Sequence, residues 1–182
     1  MSPPKIPIGD FVEGLVKWID LNFGWLLDMV SGVLDFLVGG FQDVLSAIPA
    51  PLLIIAAAVL AWFITRKNLK IGLMTLLGLL LVWDLGLWPE AMETLALVMA
   101  SSIIVLAAGI PLGILAARSD LINKSLEPAL DFMQTMPSFV YLIPAVIFFG
   151  LGNVPGIIAT VIFAMPPAIR LTNPGIRQTP RA

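Results

Sequence analysis

The sequence contains no cysteine and no histidine among its 182 residues. Without cysteine it can form neither a disulfide nor a thiolate metal site. Without histidine it lacks the commonest general base and metal ligand, and the serine–histidine arrangements of hydrolases are excluded. An enzyme is therefore disfavoured, and we predict neither a catalytic residue nor a metal site in this chain.

Charged residues are scarce: they make up 12% of the chain, about half the share that is usual in soluble domains. Hydrophobic residues make up 59%, so too few polar side chains remain to cover a soluble domain of this length. The net charge is −2 and no basic stripe is present, so we expect no nucleic-acid partner. We predict an all-α integral membrane protein that contacts membrane lipid.

The first 47 residues predict an exported amphipathic segment, without the basic and apolar pattern of a cleavable signal peptide. Residues 8–39 predict a helix that ends at Gly39 and Gly40. A wide apolar face is typical of a helix that lies in the membrane interface or packs along a neighbouring helix, and both alternatives stay open. On a helical wheel, seven polar residues share an arc of about 80°: Asp10, Glu13, Lys17, Asp20, Asp28, Ser31 and Asp35.

Five apolar runs predict about five transmembrane helices, at residues 46–65, 71–88, 95–117, 136–152 and 154–169. Residues 48–90 would hold the first two as a hairpin, because the segment from Arg66 to Lys70 is a short polar turn. Basic residues concentrate in alternate loops, which predicts a multi-pass protein of the bacterial plasma (inner) membrane with its N-terminus outside. Eight of the ten basic residues fall on the predicted cytoplasmic side: Arg66, Lys67, Lys70, Arg118, Lys124, Arg170, Arg177 and Arg181.

Proline and glycine interrupt the last three runs, and proline within a helix removes a backbone hydrogen bond. Broken helices of this kind are common in transporters that open alternately to each side. We predict helix breaks or hinges at six residues: Gly109, Pro111, Gly113, Pro144, Pro166 and Pro167.

The loop between the third and fourth runs predicts a short amphipathic helix over residues 125–137. Ser125 would cap it, Pro128 would lie in its first turn, and Glu127 and Asp131 would share its wet face. Asp84 is the one acid within a predicted span, and we expect it at the membrane interface. No GxxxxGK[ST] motif occurs, so we expect no cofactor in this chain and ATP, if used, on partner subunits.

Residues 94–178 carry several motifs in order: GIPLGI at 109–114, LDFMQTMPSFVYLIP at 130–144, FGLGNVPG at 149–156 and FAMPPAIRLT at 163–172. This segment resembles the permease subunit of glycine betaine/proline betaine ABC importers, the osmoprotectant-uptake class of binding-protein-dependent inner-membrane components. The resemblance implies that residues 91–182 form part of a type I ABC transmembrane domain with three spans.

The same resemblance implies partners and a site. The partners would be a second permease copy in a homodimer, cytoplasmic ABC ATPase subunits that bind ATP, and an extracytoplasmic betaine-binding protein. Gln134, Thr135, Pro137 and Tyr141 would lie on the translocation path near a gate.

In this family a cytoplasmic coupling helix follows the segment GIRQ at residues 175–178, and the resemblance therefore predicts a C-terminally truncated permease. Two alternatives stay open. The chain could be a non-transporting membrane scaffold, or an ion-coupled secondary carrier that uses Asp84 as its proton or sodium site.

Overall fold

The computed structural model describes residues 8–178, and these residues are helical apart from short connections. The helices, in chain order, are α1 (Ile8–Ser46), α2 (Ala50–Ile64), α3 (Leu69–Asp84), α4 (Trp88–Arg118), α5 (Asp120–Thr135), α6 (Phe139–Phe149) and α7 (Asn153–Arg177). They form two compact units. Of the described residues, one unit holds 8–36 and 101–178, and the other holds Leu37–Ala100.

α1 does not end at Gly39 and Gly40, so the predicted end of this helix is wrong. A glycine costs a helix only about 1 kcal/mol. The side chain of Val38 is 1% exposed, and this packing offsets the weak propensity of the two glycines after it.

The helices that could cross a membrane by length and apolar composition are α1, α4 and α7, with α5 and α6 as a fourth if the pair is one bent span. This differs from the five predicted spans. α2 and α3 have 15 and 16 residues. At 1.5 Å per residue each is about 23 Å long, short of the roughly 30 Å of a hydrocarbon core.

The predicted hairpin is present in the second unit. Arg66 and Lys67 adopt left-handed φ values of 54° and 63°, and the Lys67 N–H donates to the Trp62 carbonyl oxygen at 2.9 Å, which closes α2. Asn68 then caps α3, since its side-chain oxygen accepts from the Lys70 N–H at 3.1 Å. At Gly72 an added Cβ would lie 3.0 Å from Trp62 Cβ, so the missing side chain lets α2 and α3 approach closely.

In the first unit, α5 begins five residues earlier than predicted. Ser119 is extended (φ −140°, ψ 118°) and its hydroxyl accepts from the Ile122 N–H at 3.4 Å, so it is the cap. Ser125 lies inside the helix, where its hydroxyl donates to the Leu121 carbonyl oxygen at 2.9 Å. The predictions of Ser125 as cap and of Pro128 in the first turn are therefore wrong. Pro128 is tolerated in the interior of α5 because that stretch is exposed and water can solvate the freed carbonyl.

Candidate functional site

The α5–α6 elbow (residues 120–149) is a sharp change of direction in the first unit. α5 ends at Thr135, α6 begins at Phe139, and the two axes meet at 91°. Between them Met136 is extended (φ −81°, ψ 136°). The residue before a proline is disfavoured in the helical region, so Pro137 ends α5 here.

Tyr141 replaces a hydrogen bond that the elbow loses. In a continuous helix the Met133 carbonyl would accept from the N–H of residue 137, but Pro137 has none. The Tyr141 hydroxyl reaches back from α6 to the Met133 carbonyl oxygen and lies 2.8 Å from that of Met136. Tyr141 therefore fixes the bend by satisfying carbonyl groups at the end of α5.

Arg170 of α7 holds the other side of the elbow. Its guanidinium donates to Gln134 Oε1 at 2.6 Å and forms an ion pair with Asp131, so one side chain bonds two residues of α5. Glu127 accepts from the Asn123 amide at 3.2 Å. Both Glu127 and Asp131 are exposed, as predicted from their shared face.

The four predicted gate residues lie together at the elbow, but they differ in their contacts. Pro137 and Tyr141 shape the bend, and Gln134 is bound to α7. Thr135 is exposed, and its hydroxyl donates to the Phe132 carbonyl oxygen at 3.3 Å within its own helix. A gating role for any of the four stays a prediction.

A second polar cluster joins the start of α5 to the end of α7. Arg177 pairs with Asp120 at 2.7 Å and donates to the Ala116 carbonyl oxygen at 3.1 Å. The Asn173 amide donates to Asn123 Oδ1 at 2.6 Å. The hydrogen bond and the charge of Arg177 lower the pKa of Asp120, which lies in the exposed first turn of α5 outside the long apolar helices.

Sequence reasoning missed both arginine clusters. Arg170 and Arg177 are seven residues apart and therefore share one face of α7. Asp120 and Gln134 are fourteen apart and likewise share one face of α5. These matched spacings were the available signal, but a sequence alone does not show which two faces meet.

The predicted helix breaks are not interruptions of helical structure. α4 continues through Pro111, α6 through Pro144, and α7 through Pro166 and Pro167. Each helix therefore continues past its prolines, and a hinge role for them stays a prediction.

Gly109 and Gly113 are instead points where α4 touches α7. A Cβ added at Gly109 would lie 2.8 Å from Ala168 Cβ, and one added at Gly113 would lie 2.5 Å from Thr172 Cβ. Both pairs are spaced by four residues, which is the pattern that lets two membrane helices cross at close range. The two glycines therefore fix a helix crossing.

A cavity of about 350 Å³ opens beside the elbow, between α6 and α7. The Thr160 hydroxyl in its wall donates to the Gly156 carbonyl oxygen at 2.7 Å, which leaves a largely apolar lining. The ring of Phe163, 57% exposed, adds an aromatic face. The lining residues are Ser138, Leu142, Gly156, Ala159, Thr160 and Phe163.

Asp84 belongs to the second unit. It is the last residue of α3, it is exposed, and it borders an open groove of the second unit lined by leucines and Trp83. Within residues 8–178 no group of three or more acidic side chains is arranged to hold a metal ion.

Comparison with known proteins identifies relatives of both units. Residues 109–182 match the family described as the binding-protein-dependent transport system inner membrane component. The glycine betaine transport system permease protein OpuAB of Bacillus subtilis is 46% identical over 177 residues, which cover 97% of this chain and 62% of that protein. The glycine betaine/carnitine transport permease protein GbuB of Listeria monocytogenes is 45% identical over 177 residues, 96% of this chain and 62% of GbuB.

The glycine betaine/proline betaine transport system permease protein ProW of Escherichia coli is 43% identical over 175 residues, 96% of this chain and 49% of ProW. The chain thus spans about half to three fifths of the length of these relatives, all of which are transport permeases and not enzymes. The resemblance inferred from the motifs is confirmed. Residues 109–182 thus match the family of binding-protein-dependent inner-membrane transport components, and the chain is similar along nearly its whole length to glycine betaine permeases.

Proposed function

We propose that this chain supplies membrane-crossing helices of the permease subunit in an ATP-driven, binding-protein-dependent importer of glycine betaine-type solutes. The observation that carries the proposal is 46% identity to a glycine betaine permease along 97% of the chain. The elbow and the residues that hold it lie in the segment that matches the family, residues 109–182.

The proposed partners follow from that function. A second permease copy completes the pathway, cytoplasmic ATPase subunits supply the energy, and an extracytoplasmic binding protein delivers the solute. The basic residues of the loops support a cytoplasmic position for the turn at Arg66 and Lys67, and a single crossing before this turn would leave the N-terminus outside.

We place the solute path beside the elbow, along the cavity between α6 and α7. Glycine betaine carries a trimethylammonium group, whose methyl surface suits the apolar lining around Leu142 and Ala159. The exposed ring of Phe163 can stabilise the positive charge through its π face. Gln134, Thr135, Pro137 and Tyr141 are the gate residues of this proposal.

The test is a hybrid permease in which this chain replaces the matching part of OpuAB, in cells that supply the rest of that transport system and lack other glycine betaine uptake. We expect uptake of radiolabelled glycine betaine that disappears when the ATPase is inactivated. Membrane levels of the hybrid are measured with an epitope tag. A hybrid that reaches the membrane in normal amounts but carries no glycine betaine contradicts the proposal.

A further inference from the structure

α5 is a rigid rod between two extended joints. Ser119 precedes it with φ −140° and ψ 118°, and Met136 follows it with φ −81° and ψ 136°. A single extended residue at each end lets a helix change its angle without unfolding, because only a few dihedral angles must rotate.

The two ion pairs of α5 with α7 are formed by exposed side chains. The side chains of Arg170 and Asp131 are 42% and 66% exposed. Water and salt compete for ion pairs at this exposure, so such contacts form and break readily. Leu130 is an apolar side chain of α5 that is buried, at 5% exposure.

The contacts of α4 and α6 with α7 are of a different kind. α4 meets α7 at Gly109 and Gly113, where the missing side chains bring the two helices close together. Residues 150–152 connect α6 to α7. Ala145 of α6 and Val154 and Ile157 of α7 are buried. Close-packed interfaces of this kind resist sliding, since any displacement opens voids or creates clashes.

We propose that Arg170 is a positioning residue that docks α5 on α7, and that transport requires α5 to lift from a body formed by α6, α7 and the adjoining half of α4. α5 then acts as a strap with joints at Ser119 and Met136, and the hydrogen bonds of Tyr141 across the second joint break as α5 lifts. The proposal rests on the proposed function for its link to transport, whereas the docking role of Arg170 concerns the chain alone.

Docking is measured through a single cysteine, which is unambiguous because the chain has none of its own. In Leu130→Cys the thiol is covered while α5 is docked, so its reaction with a water-soluble maleimide in membranes reports lifting. We expect Arg170→Ala to raise the labelling rate about fivefold, as the loss of a weak ion pair and a hydrogen bond would. The charge-exchanged pair Asp131→Arg with Arg170→Asp restores slow labelling.

Arg118→Ala is the matched control. It removes the same charge from an exposed position at the end of α4, where no side-chain ion pair is formed. Labelling of Leu130→Cys in that background remains as slow as in the parent. Equal labelling rates with and without Arg170, or equal acceleration by Arg118→Ala, overturn the docking role.

The link to transport is tested with two disulfides in the hybrid permease. Asn123→Cys with Asn173→Cys joins α5 to α7 at side chains already in contact. Gly109→Cys with Ala168→Cys joins α4 to α7. A Cβ at position 109 would lie 2.8 Å from Ala168 Cβ, about 1 Å closer than the two Cβ atoms of a disulfide usually lie, so the two helices must separate by about that distance. We expect oxidation of the first pair to stop glycine betaine uptake reversibly, and oxidation of the second to leave uptake at the level of the same variant before oxidation.

Blockage by the α4–α7 disulfide, or normal uptake through the oxidised α5–α7 disulfide, overturns the strap. If the proposed function is wrong, the hybrid without introduced cysteines carries no glycine betaine. Maleimide labelling of the chain still decides in that case whether Arg170 docks α5.

Discussion

The substitution Gly113→Ala is the most direct test of the close crossing of α4 and α7. An alanine Cβ at this position would lie 2.5 Å from Thr172 Cβ and 3.1 Å from the Ile169 carbonyl oxygen. Ordinary carbon–carbon contacts lie near 3.5–4.0 Å, so Gly113→Ala must push the helices apart by about 1 Å. Overpacking of this kind costs about 1–3 kcal/mol. We therefore expect a lower Tm for the variant in detergent, although alanine is the better helix former.

Gly78→Ala is the matched control, because Gly78 lies inside α3 with no atom within 4 Å of an added Cβ. It should stabilise the protein by about 0.5–1 kcal/mol through helix propensity alone. Combining Gly113→Ala with Thr172→Gly exchanges the large and small positions and should recover much of the lost Tm. If Gly113→Ala is as stable as Gly78→Ala, α4 and α7 do not cross as described.

Three further predictions concern single side chains. Tyr141→Phe leaves carbonyl groups at the end of α5 without their donor and should cost about 1–2 kcal/mol in unfolding experiments, with Phe139→Leu as the control in the same turn. Arg177 lowers the pKa of Asp120 in the folded chain, so this pair stabilises the fold above about pH 4 and its contribution is lost as the pH falls through the lowered pKa. Asp120→Asn should therefore flatten the acid end of the Tm–pH profile, and an unchanged profile contradicts the pairing. Asn68→Ala removes the cap of α3 and should cost about 1 kcal/mol, with Asn68→Asp close to the parent.

Composition was enough to predict the membrane class, and the local sequence pattern was enough to predict the α2–α3 hairpin. Long apolar runs with few charges are typical of helices in lipid. The polar run from Arg66 to Lys70 separates two apolar runs. Because this run is short, the second apolar run must turn back alongside the first.

Helix ends were less predictable, because local propensities are worth about 1 kcal/mol and packing outweighs them. Gly39 and Gly40 favour a break, yet the burial of Val38 keeps α1 continuous. Ser119 and Ser125 are equally good caps by residue type, and the choice between them depends on the extended backbone at Ser119.

The contacts of the four predicted gate residues could not be predicted from the sequence. Gln134, Thr135, Pro137 and Tyr141 lie at the elbow, as the motif implied, but the partner of Gln134 is 36 residues away in sequence. Two glycines four residues apart are compatible both with a weakened helix and with a close crossing of two helices. For Gly109 and Gly113, only the position of α7 shows that the glycines form a helix crossing.

The proposed role of the chain in an ATP-driven glycine betaine permease is tested by accumulation of glycine betaine in proteoliposomes. These hold the hybrid permease with its ATPase subunits and binding protein. We expect accumulation against a gradient only when ATP, the binding protein and this chain are all present. Accumulation driven by a proton or sodium gradient without ATP, and abolished by Asp84→Asn, would contradict this role.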